Sequence, residues 1–180
     1  MFLKDFPLKN VTALGVGGPA DYFICPTSTE EILKAQRFAL ARALPLTVIG
    51  YGTNLLVRDG GVRGVVLQLA APFAKASVQD GALTATTGCL FSSLSKLALY
   101  HGLSGLEFAV GIPGGLGGAA FMNAGAYKGE IGPLIQKVEF AKNGKLYSWD
   151  KADFTYSYRH SRLQEEAAIA TRLFLQLKPG

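Results

Sequence analysis

The spacing of apolar residues near the start of the chain predicts a strand, a helix and a second strand in succession. Residues 22–24 (Tyr-Phe-Ile) form a short apolar run bounded by prolines, which is typical of a strand. Apolar residues then recur at helical spacing over residues 32–40, directly after residues 28–31 (Ser-Thr-Glu-Glu), whose spacing is that of a capping box. Pro45 predicts the end of this helix, and residues 46–49 return as an apolar strand.

Two dipeptides further along the chain predict antiparallel β-hairpins. Asp80-Gly81 and Asn143-Gly144 each stand between two runs in which apolar and polar residues alternate. A type I′ turn needs positive φ angles at both central positions, and Asn, Asp and Gly adopt such angles most readily. The pattern therefore changes from a parallel unit at the start to antiparallel pairing later.

The remaining elements complete a division of the chain into two predicted subdomains. Residues 62–69 and 167–177 have the composition of strands, and residues 91–100 have the spacing of a helix. We predict a βαβ-like subdomain at residues 1–71 and an α+β subdomain at residues 72–180.

Composition and charge narrow the class of protein. Hydrophobic residues make up 49% of the chain and charged residues 17%, which is the composition of a folded domain. The net charge of +5 is spread over single Lys and Arg residues without a basic stripe, which argues against nucleic-acid binding. No run reaches the roughly 18 apolar residues of a membrane span, and no apolar leader opens the chain. We expect a soluble, cytoplasmic protein; its oligomeric state is left open.

The placement of cysteine and histidine argues against a metal centre. Cys25 and Cys89 are far apart and belong to no Cys-x-x-Cys motif, and His101 and His160 are isolated from each other. We therefore expect buried, reduced thiols and no bound metal. No Gly-x-Ser-x-Gly motif is present to supply a serine nucleophile.

A glycine-rich segment at residues 111–119 (GIPGGLGGA) is the most informative feature for function. Five glycines in eight residues lose much conformational entropy on folding, so bare backbone must be needed there. Such backbone typically lets main-chain N–H groups approach a phosphate, and the good helix formers of residues 119–124 predict a helix N-terminus beside it. The segment lacks the Lys of a P-loop and the spacing of a dinucleotide fingerprint. A packing turn between subdomains is the alternative.

Two further groups have weaker signals. Residues 50–54 (GYGTN) follow a predicted strand, where N–H groups and the Thr53 hydroxyl would suit a diphosphate; a plain connecting turn is the alternative. Arg159 stands beside Tyr156 and Tyr158, and a guanidinium next to phenols suits carboxylate or phosphate recognition. An exposed edge strand is the alternative for this second group.

Four segments together resemble the UDP-N-acetylenolpyruvoylglucosamine reductase family. They are residues 12–21 (TALGVGGPAD), 50–59 (GYGTNLLVRD), 111–129 (GIPGGLGGAAFMNAGAYKG) and 153–161 (DFTYSYRHS), in the family's order and with similar spacing. The resemblance implies an α+β, two-subdomain FAD-binding fold of the vanillyl-alcohol-oxidase (PCMH-like) type, with FAD held between the subdomains.

The resemblance also implies which residues form the site. Those expected to line FAD lie in the two glycine segments, just after the second one, and in the last strand. They are Gly50, Tyr51, Gly52, Thr53, Asn54, Leu55, Gly111, Ile112, Pro113, Gly114, Gly115, Gly117, Gly118, Ala119, Asn123, Ala124, Gly125 and Ile169. Arg159 is the implied catalytic residue and binds substrate, with Tyr127 and Tyr158 beside it.

The chemistry implied by the family is a reduction within peptidoglycan precursor synthesis. NADPH delivers hydride to FAD, and the enolpyruvyl group of UDP-N-acetylglucosamine enolpyruvate then receives it to give UDP-N-acetylmuramate. The arginine stabilises the negative charge that develops beside the substrate carboxylate.

The sequence departs from the family pattern at Gly15, where a basic residue is common, and in two further respects. The family's proton-donating serine and assisting glutamate lie in a C-terminal substrate domain that this sequence does not contain, so no proton donor is assigned and the chain alone is expected to be incomplete for catalysis. Gly115 stands where Thr or Ser is usual. The alternatives are a stand-alone, non-catalytic flavin-binding module and another FAD oxidoreductase of the same fold.

Overall fold

The computed structural model describes residues 2–180, which form two large sheets, three two-stranded sheets and four α-helices. In chain order the elements are β1 (Leu3–Pro7), β2 (Pro19–Ile24), α1 (Thr29–Ala41), β3 (Leu46–Ile49), β4 (Val62–Gln68), β5 (Ala76–Gln79), β6 (Ala82–Thr86), α2 (Phe91–Tyr100), β7 (Leu103–Ser104), α3 (Leu116–Phe121), β8 (Gly125–Ala126), β9 (Gly129–Glu130), β10 (Ile135–Lys142), β11 (Lys145–Asp150), β12 (Tyr156–Ser157), β13 (His160–Ser161), α4 (Arg162–Glu165), β14 (Ile169–Gln176) and β15 (Lys178–Pro179).

The first sheet has the strand order β1-β2-β4-β3. Strands β2, β4 and β3 are parallel, whereas β1 pairs antiparallel with β2. The predicted strand–helix–strand unit is confirmed, but β1 was not predicted. Its backbone turns to a φ of 50° at Asp5, so the pairing skips that residue and the apolar alternation of the strand is broken.

The N-terminus of α1 is capped as a variant of the predicted box. Ser28 Oγ accepts a hydrogen bond from the Glu31 N–H at 3.3 Å, as predicted. The Glu31 carboxylate, however, accepts from the N–H of Thr27 at 2.7 Å, one residue before the cap. The hydrogen bonds that the Glu31 carboxylate accepts from the N–H and the hydroxyl of Thr27 hold the pKa of Glu31 below its ordinary value.

The second sheet is antiparallel and has the order β11-β10-β14-β6-β5. Both predicted hairpin turns are confirmed, with φ angles of 50° and 75° at Asp80 and Gly81, and of 52° and 73° at Asn143 and Gly144. Helix α2 occupies the predicted residues. The predicted helix at residues 119–124 was misplaced: α3 begins at Leu116 and ends at Phe121. Its first turn therefore lies inside the glycine-rich segment itself.

Helix α1 connects the two sheets. Its buried Ile32 packs with Leu67 of the first sheet and with Ala141 and Ile169 of the second. Gln36, which is buried, donates to the carbonyl oxygen of Ala141 at 3.2 Å and accepts from the N–H of Gly144 at 3.0 Å. The first sheet takes its strands from residues 3–68 and the second from residues 76–176.

Within residues 2–180 the helices are too short or too polar to cross a membrane.

Candidate functional site

The two glycine segments predicted to bind FAD lie against each other. Residues 50–55 follow the end of β3, and residues 112–115 precede α3. The Thr53 hydroxyl donates to the Pro113 carbonyl oxygen at 3.3 Å, and the Tyr51 ring lies against Gly115. Both segments line one cavity of about 310 Å³. The fold therefore assembles a single site from segments that are about 60 residues apart.

Gly52 shows why the first segment needs a residue without a side chain. Its φ is +66°, and a Cβ atom there would lie 2.2 Å from the carbonyl oxygen of Val11. The Gly52 carbonyl oxygen also accepts the N–H of Ala13 at 3.0 Å. The segment is thus pressed against residues 11–13 of the chain, which fixes its backbone in place.

Main-chain N–H groups of both segments are available to a ligand. In the part of the chain that the structure describes, the N–H groups of residues 51–54 and of Gly114 and Gly115 donate no hydrogen bond to a protein acceptor. Gly52 and Gly115 are buried, and a buried N–H group without an acceptor is rare because it forfeits its hydrogen bond to water. Unpaired donors on two adjoining segments are what an anion such as a diphosphate requires.

A second, more apolar cavity of about 310 Å³ adjoins the first. Both cavities are lined by Val48, Ile49, Gly50, Gly115 and Gly118, so they form one continuous cleft, called the glycine cleft below. Its far wall comes from the start of β14 and from α3. A long groove with polar backbone in the middle and apolar walls suits an elongated ligand with ring systems.

Most of the residues predicted to line FAD lie on the glycine cleft. Those that do are Gly50, Tyr51, Gly52, Thr53, Asn54, Leu55, Ile112, Pro113, Gly114, Gly115, Gly117, Gly118, Ala119, Ala124 and Ile169. Three others do not. Gly111 is exposed outside both cavities, Gly125 lines a different cavity, and Asn123 is buried at 2% exposure.

Both polar atoms of the Asn123 side-chain amide form hydrogen bonds within the protein. Its Nδ2 donates to the Glu130 carboxylate and to the Ser157 carbonyl oxygen, each at 2.9 Å, and its Oδ1 accepts from the Gly132 N–H at 2.9 Å. The amide therefore ties the β8–β9 hairpin to the β12–β13 hairpin and has no donor left for a cofactor. A direct contact between the Asn123 side chain and FAD does not fit this arrangement.

The residues predicted to contact substrate gather in a separate cavity of about 550 Å³, called the arginine cavity below. Arg159 and Tyr158 form the turn of the β12–β13 hairpin, and Tyr127 lies at the turn of the β8–β9 hairpin. The guanidinium of Arg159 donates to the Gly125 carbonyl oxygen at 3.0 Å. Because Ala124 lines the glycine cleft and Gly125 lines the arginine cavity, the two sites adjoin.

The backbone at the arginine cavity is held in a conformation that favours glycine. Tyr127, Lys128 and Arg159 have φ angles of 50°, 67° and 54°. A residue with a Cβ atom adopts this left-handed region at a cost of about 1 kcal/mol or more. Such strain is concentrated at functional sites, so these side chains are candidates for ligand contact. Tyr127 and Tyr158 are 90% and 84% exposed, which leaves their rings free to make it.

Sequence reasoning missed most of the apolar walls of the glycine cleft and two charged residues of the arginine cavity, Lys128 and Glu130. The missed lining residues of the glycine cleft are Leu46, Val48, Ile49, Leu69, Thr87, Phe91, Phe121, Met122, Leu163, Ala167, Ala168 and Ala170. Nearly all of them are apolar, and apolar residues also fill ordinary protein cores. Nothing in the local sequence therefore identified them as residues that line a ligand site. Lys128 of the arginine cavity had a signal, because it interrupts a glycine-rich segment with a charge.

The titratable groups beside the glycine cleft are held neutral. Burial raises the pKa of the Tyr51 phenol, which donates to the Gly88 carbonyl oxygen at 2.8 Å. Burial likewise raises the pKa of the thiols of Cys25 and Cys89. Cys89 is buried and Cys25 is half-buried, and neither forms a disulfide. A raised pKa favours the protonated thiol, which is a weaker nucleophile than the thiolate.

Comparison with known proteins supports the sequence resemblance. The sequence profile described as FAD binding domain matches residues 20–144. UDP-N-acetylenolpyruvoylglucosamine reductase of Levilactobacillus brevis is 41% identical over 179 residues, which cover 99% of this chain and 59% of that protein. The enzyme of the same name from Rubrobacter xylanophilus is 40% identical over 177 residues, or 98% of this chain and 60% of the relative. The chain thus spans about three-fifths of the length of these relatives.

Solved structures agree with this assignment. The crystal structure of UDP-N-acetylenolpyruvylglucosamine reductase from Thermus caldophilus superposes with a TM-score of 0.84 at 35% identity, over 99% of this chain and 64% of that one. Cholesterol oxidase from Brevibacterium sterolicum shares the fold alone, with a TM-score of 0.69 at 13% identity, over 99% of this chain and 37% of that one. The predicted fold class is confirmed. The chain belongs to the FAD binding domain family and is homologous to the corresponding part of the UDP-N-acetylenolpyruvoylglucosamine reductases.

Proposed function

We propose that this chain is the FAD-binding portion of an NADPH-dependent reductase that converts UDP-N-acetylglucosamine enolpyruvate to UDP-N-acetylmuramate in peptidoglycan precursor synthesis. The observation that carries the proposal is the junction of the two sites. The glycine cleft suits a dinucleotide cofactor, and the arginine cavity, with its cation and exposed phenols, adjoins it at Ala124 and Gly125. The 41% identity to a reductase of that name supports the choice of reaction.

The residues of the glycine cleft fit FAD. The unpaired N–H groups of residues 51–54 and of Gly114 and Gly115 would hold the diphosphate, because backbone donors fixed in a turn neutralise an anion without a charged side chain. The apolar walls on either side would pack against the rings. When bound, FAD would accept a hydride from NADPH and pass it to the enolpyruvyl group.

Arg159 would act on the substrate rather than on the cofactor. Its guanidinium donates a hydrogen bond to the Gly125 carbonyl oxygen and lies over the Tyr158 ring, 5.3 Å from the ring centroid, and within residues 2–180 it forms no ion pair. A substrate carboxylate would replace this neutral acceptor with a charged one, which forms the stronger hydrogen bonds. The same guanidinium would stabilise the negative charge that develops on the carbon next to the carboxylate after hydride arrives.

The reduction also needs a proton at that carbon, and the proposal assigns no donor among residues 2–180. We therefore expect the chain alone to bind FAD and to accept electrons from NADPH without steady reduction of the enolpyruvyl sugar. Purified chain loaded with FAD should bleach in the visible region when NADPH is added anaerobically. Added UDP-N-acetylglucosamine enolpyruvate should not restore the colour or sustain NADPH oxidation. Steady turnover of the sugar by this chain would show that the proton donor lies within it.

A further inference from the structure

Lys128 is a cation in the arginine cavity that the proposed reaction has not used. It forms the turn of the β8–β9 hairpin together with Tyr127 and lines the cavity with Arg159. Throughout residues 2–180, neither Lys128 nor Arg159 takes part in an ion pair. The carboxylate that lines the cavity, Glu130, accepts a hydrogen bond from Asn123 instead. The cavity therefore presents two cations and one carboxylate, and within residues 2–180 neither cation is paired with that carboxylate or with another acidic side chain.

The strained backbone conformation at Lys128 indicates that its side chain has a function. Its φ of 67° lies in the left-handed region, which glycine adopts freely and lysine does not. A turn that only reversed the chain would be more stable with glycine at this position. Gly129 directly after it packs so closely on Phe108 that a Cβ atom would lie 2.6 Å from that ring, so the hairpin is held firmly on the protein. The strained Lys128 therefore lies in a hairpin whose position on the protein is fixed.

We propose that Lys128 binds the diphosphate of the nucleotide sugar while Arg159 binds its carboxylate; this assignment rests on the function proposed above. An ammonium group is a compact point charge that suits phosphate oxygens, whereas the planar guanidinium fork matches a carboxylate in two parallel hydrogen bonds. Two cations on separate hairpin turns fit a ligand whose two anionic groups are also separate. The exposed rings of Tyr127 and Tyr158 lie beside them and offer surface for the sugar.

Two probes separate the roles of the two cations. UDP-N-acetylglucosamine has the diphosphate but lacks the carboxylate, and UDP-N-acetylmuramate has both. Calorimetric titration of the FAD-loaded chain should show that Lys128→Gly weakens binding of both probes about tenfold, the usual effect of losing a charge-assisted hydrogen bond. Arg159→Asn should weaken only UDP-N-acetylmuramate, to the affinity of the sugar without the carboxylate. Asparagine is chosen because it tolerates a positive φ.

Controls exclude loss of structure and a general effect of charge. Lys128→Gly relieves the strained φ, so its thermal unfolding midpoint should not fall below that of the wild type. Lys128→Asn should give the same binding result with a different turn residue. Lys151→Ala removes one charge from an exposed turn outside the cavity and should leave both affinities unchanged.

The outcomes distinguish this inference from the proposed function. If FAD binds and Arg159→Asn behaves as expected while Lys128→Gly matches the wild type for both probes, the role of Lys128 is wrong and the reductase assignment stands. If the FAD-loaded wild type binds neither probe, the inference is overturned for this chain. A chain that binds no FAD refutes the proposed function separately.

Discussion

The hydroxyl of Thr53 donates a hydrogen bond to the carbonyl oxygen of Pro113 at 3.3 Å, across 60 positions of sequence. Thr53 follows β3, an edge strand of the first sheet, and Pro113 precedes α3, which packs on the second sheet. The contact therefore exists only when both halves of the chain are folded and docked. Any ligand of the glycine cleft should consequently stabilise the whole chain and not just one sheet.

Gly52→Ala should destabilise the chain and remove FAD binding. The alanine would have to adopt a φ of +66° with its Cβ atom 2.2 Å from the Val11 carbonyl oxygen. Strain and overlap together should lower the free energy of unfolding by about 2 kcal/mol or more. Urea unfolding and FAD titration measure the two effects. The matched control is Gly60→Ala, where a Cβ atom meets nothing within 4 Å and both quantities should stay near the wild-type values.

Gly118→Leu should separate cofactor binding from stability. Gly118 lies in α3 and lines the glycine cleft, and a Cβ atom there meets nothing within 4 Å. Leucine is a better helix former than glycine by about 0.5–1 kcal/mol, so stability should not fall, while its side chain fills the cleft and should weaken FAD binding at least tenfold. Gly111→Leu, also free of contacts but outside the cleft, should bind FAD normally. Equal FAD affinity in the two variants would place the cofactor elsewhere.

Substitution of the glycine in the Asn143-Gly144 turn should reduce the stability of the fold more than the same substitution in the Asp80-Gly81 turn. Gly144→Ala and Gly81→Ala impose the same backbone strain, because the two φ angles are +73° and +75°. Only at Gly144 does the added Cβ atom lie 2.4 Å from Cγ of Arg37, whose guanidinium donates to the Gly144 carbonyl oxygen. We expect Gly144→Ala to cost about 1 kcal/mol more in urea unfolding. Equal costs would mean that this turn does not join α1 to the second sheet.

Stability should fall in acid partly through Glu166. Hydrogen bonds and charge from Lys142, at 2.5 Å, and from Arg162 hold the pKa of Glu166 below its ordinary value of 4.5. A carboxyl with a lowered pKa in the folded state stabilises the fold above its unfolded pKa, and this contribution is lost as the pH falls through the folded pKa. Glu166→Gln should therefore unfold at lower urea than the wild type at pH 7, and the difference should shrink as pH falls below 4.5. A difference that stays constant with pH would exclude the ion pair as its cause.

Local sequence patterns predicted the secondary-structure elements better than they predicted the candidate functional site. The two type I′ turns and α2 agree with the sequence because their signals lie within a few residues of each other. The role of Asn123 was missed because its three partners, Glu130, Ser157 and Gly132, are brought together only by tertiary structure. A motif located the residue, but the motif did not show which way its amide points.

The apolar walls of the glycine cleft were missed for a related reason. Val48 and Phe121 come from different parts of the chain and meet across the cavity only after the sheets have docked. An apolar residue that lines a ligand site and one that fills a core have the same appearance in a sequence. The glycines could be recognised in the sequence because a cluster of glycines loses much conformational entropy on folding and so needs an explanation. Aliphatic residues that line a cleft have no comparable signal.

The visible absorption spectrum of the purified chain, with chromatography of the chromophore released on denaturation, tests the central claim most directly. The account predicts a flavin spectrum in the protein as isolated or after added FAD, release of FAD and not of FMN, and loss of both signals in Gly118→Leu but not in Gly111→Leu. A folded wild-type chain that stays colourless after incubation with FAD would contradict the claim that the glycine cleft is a flavin site.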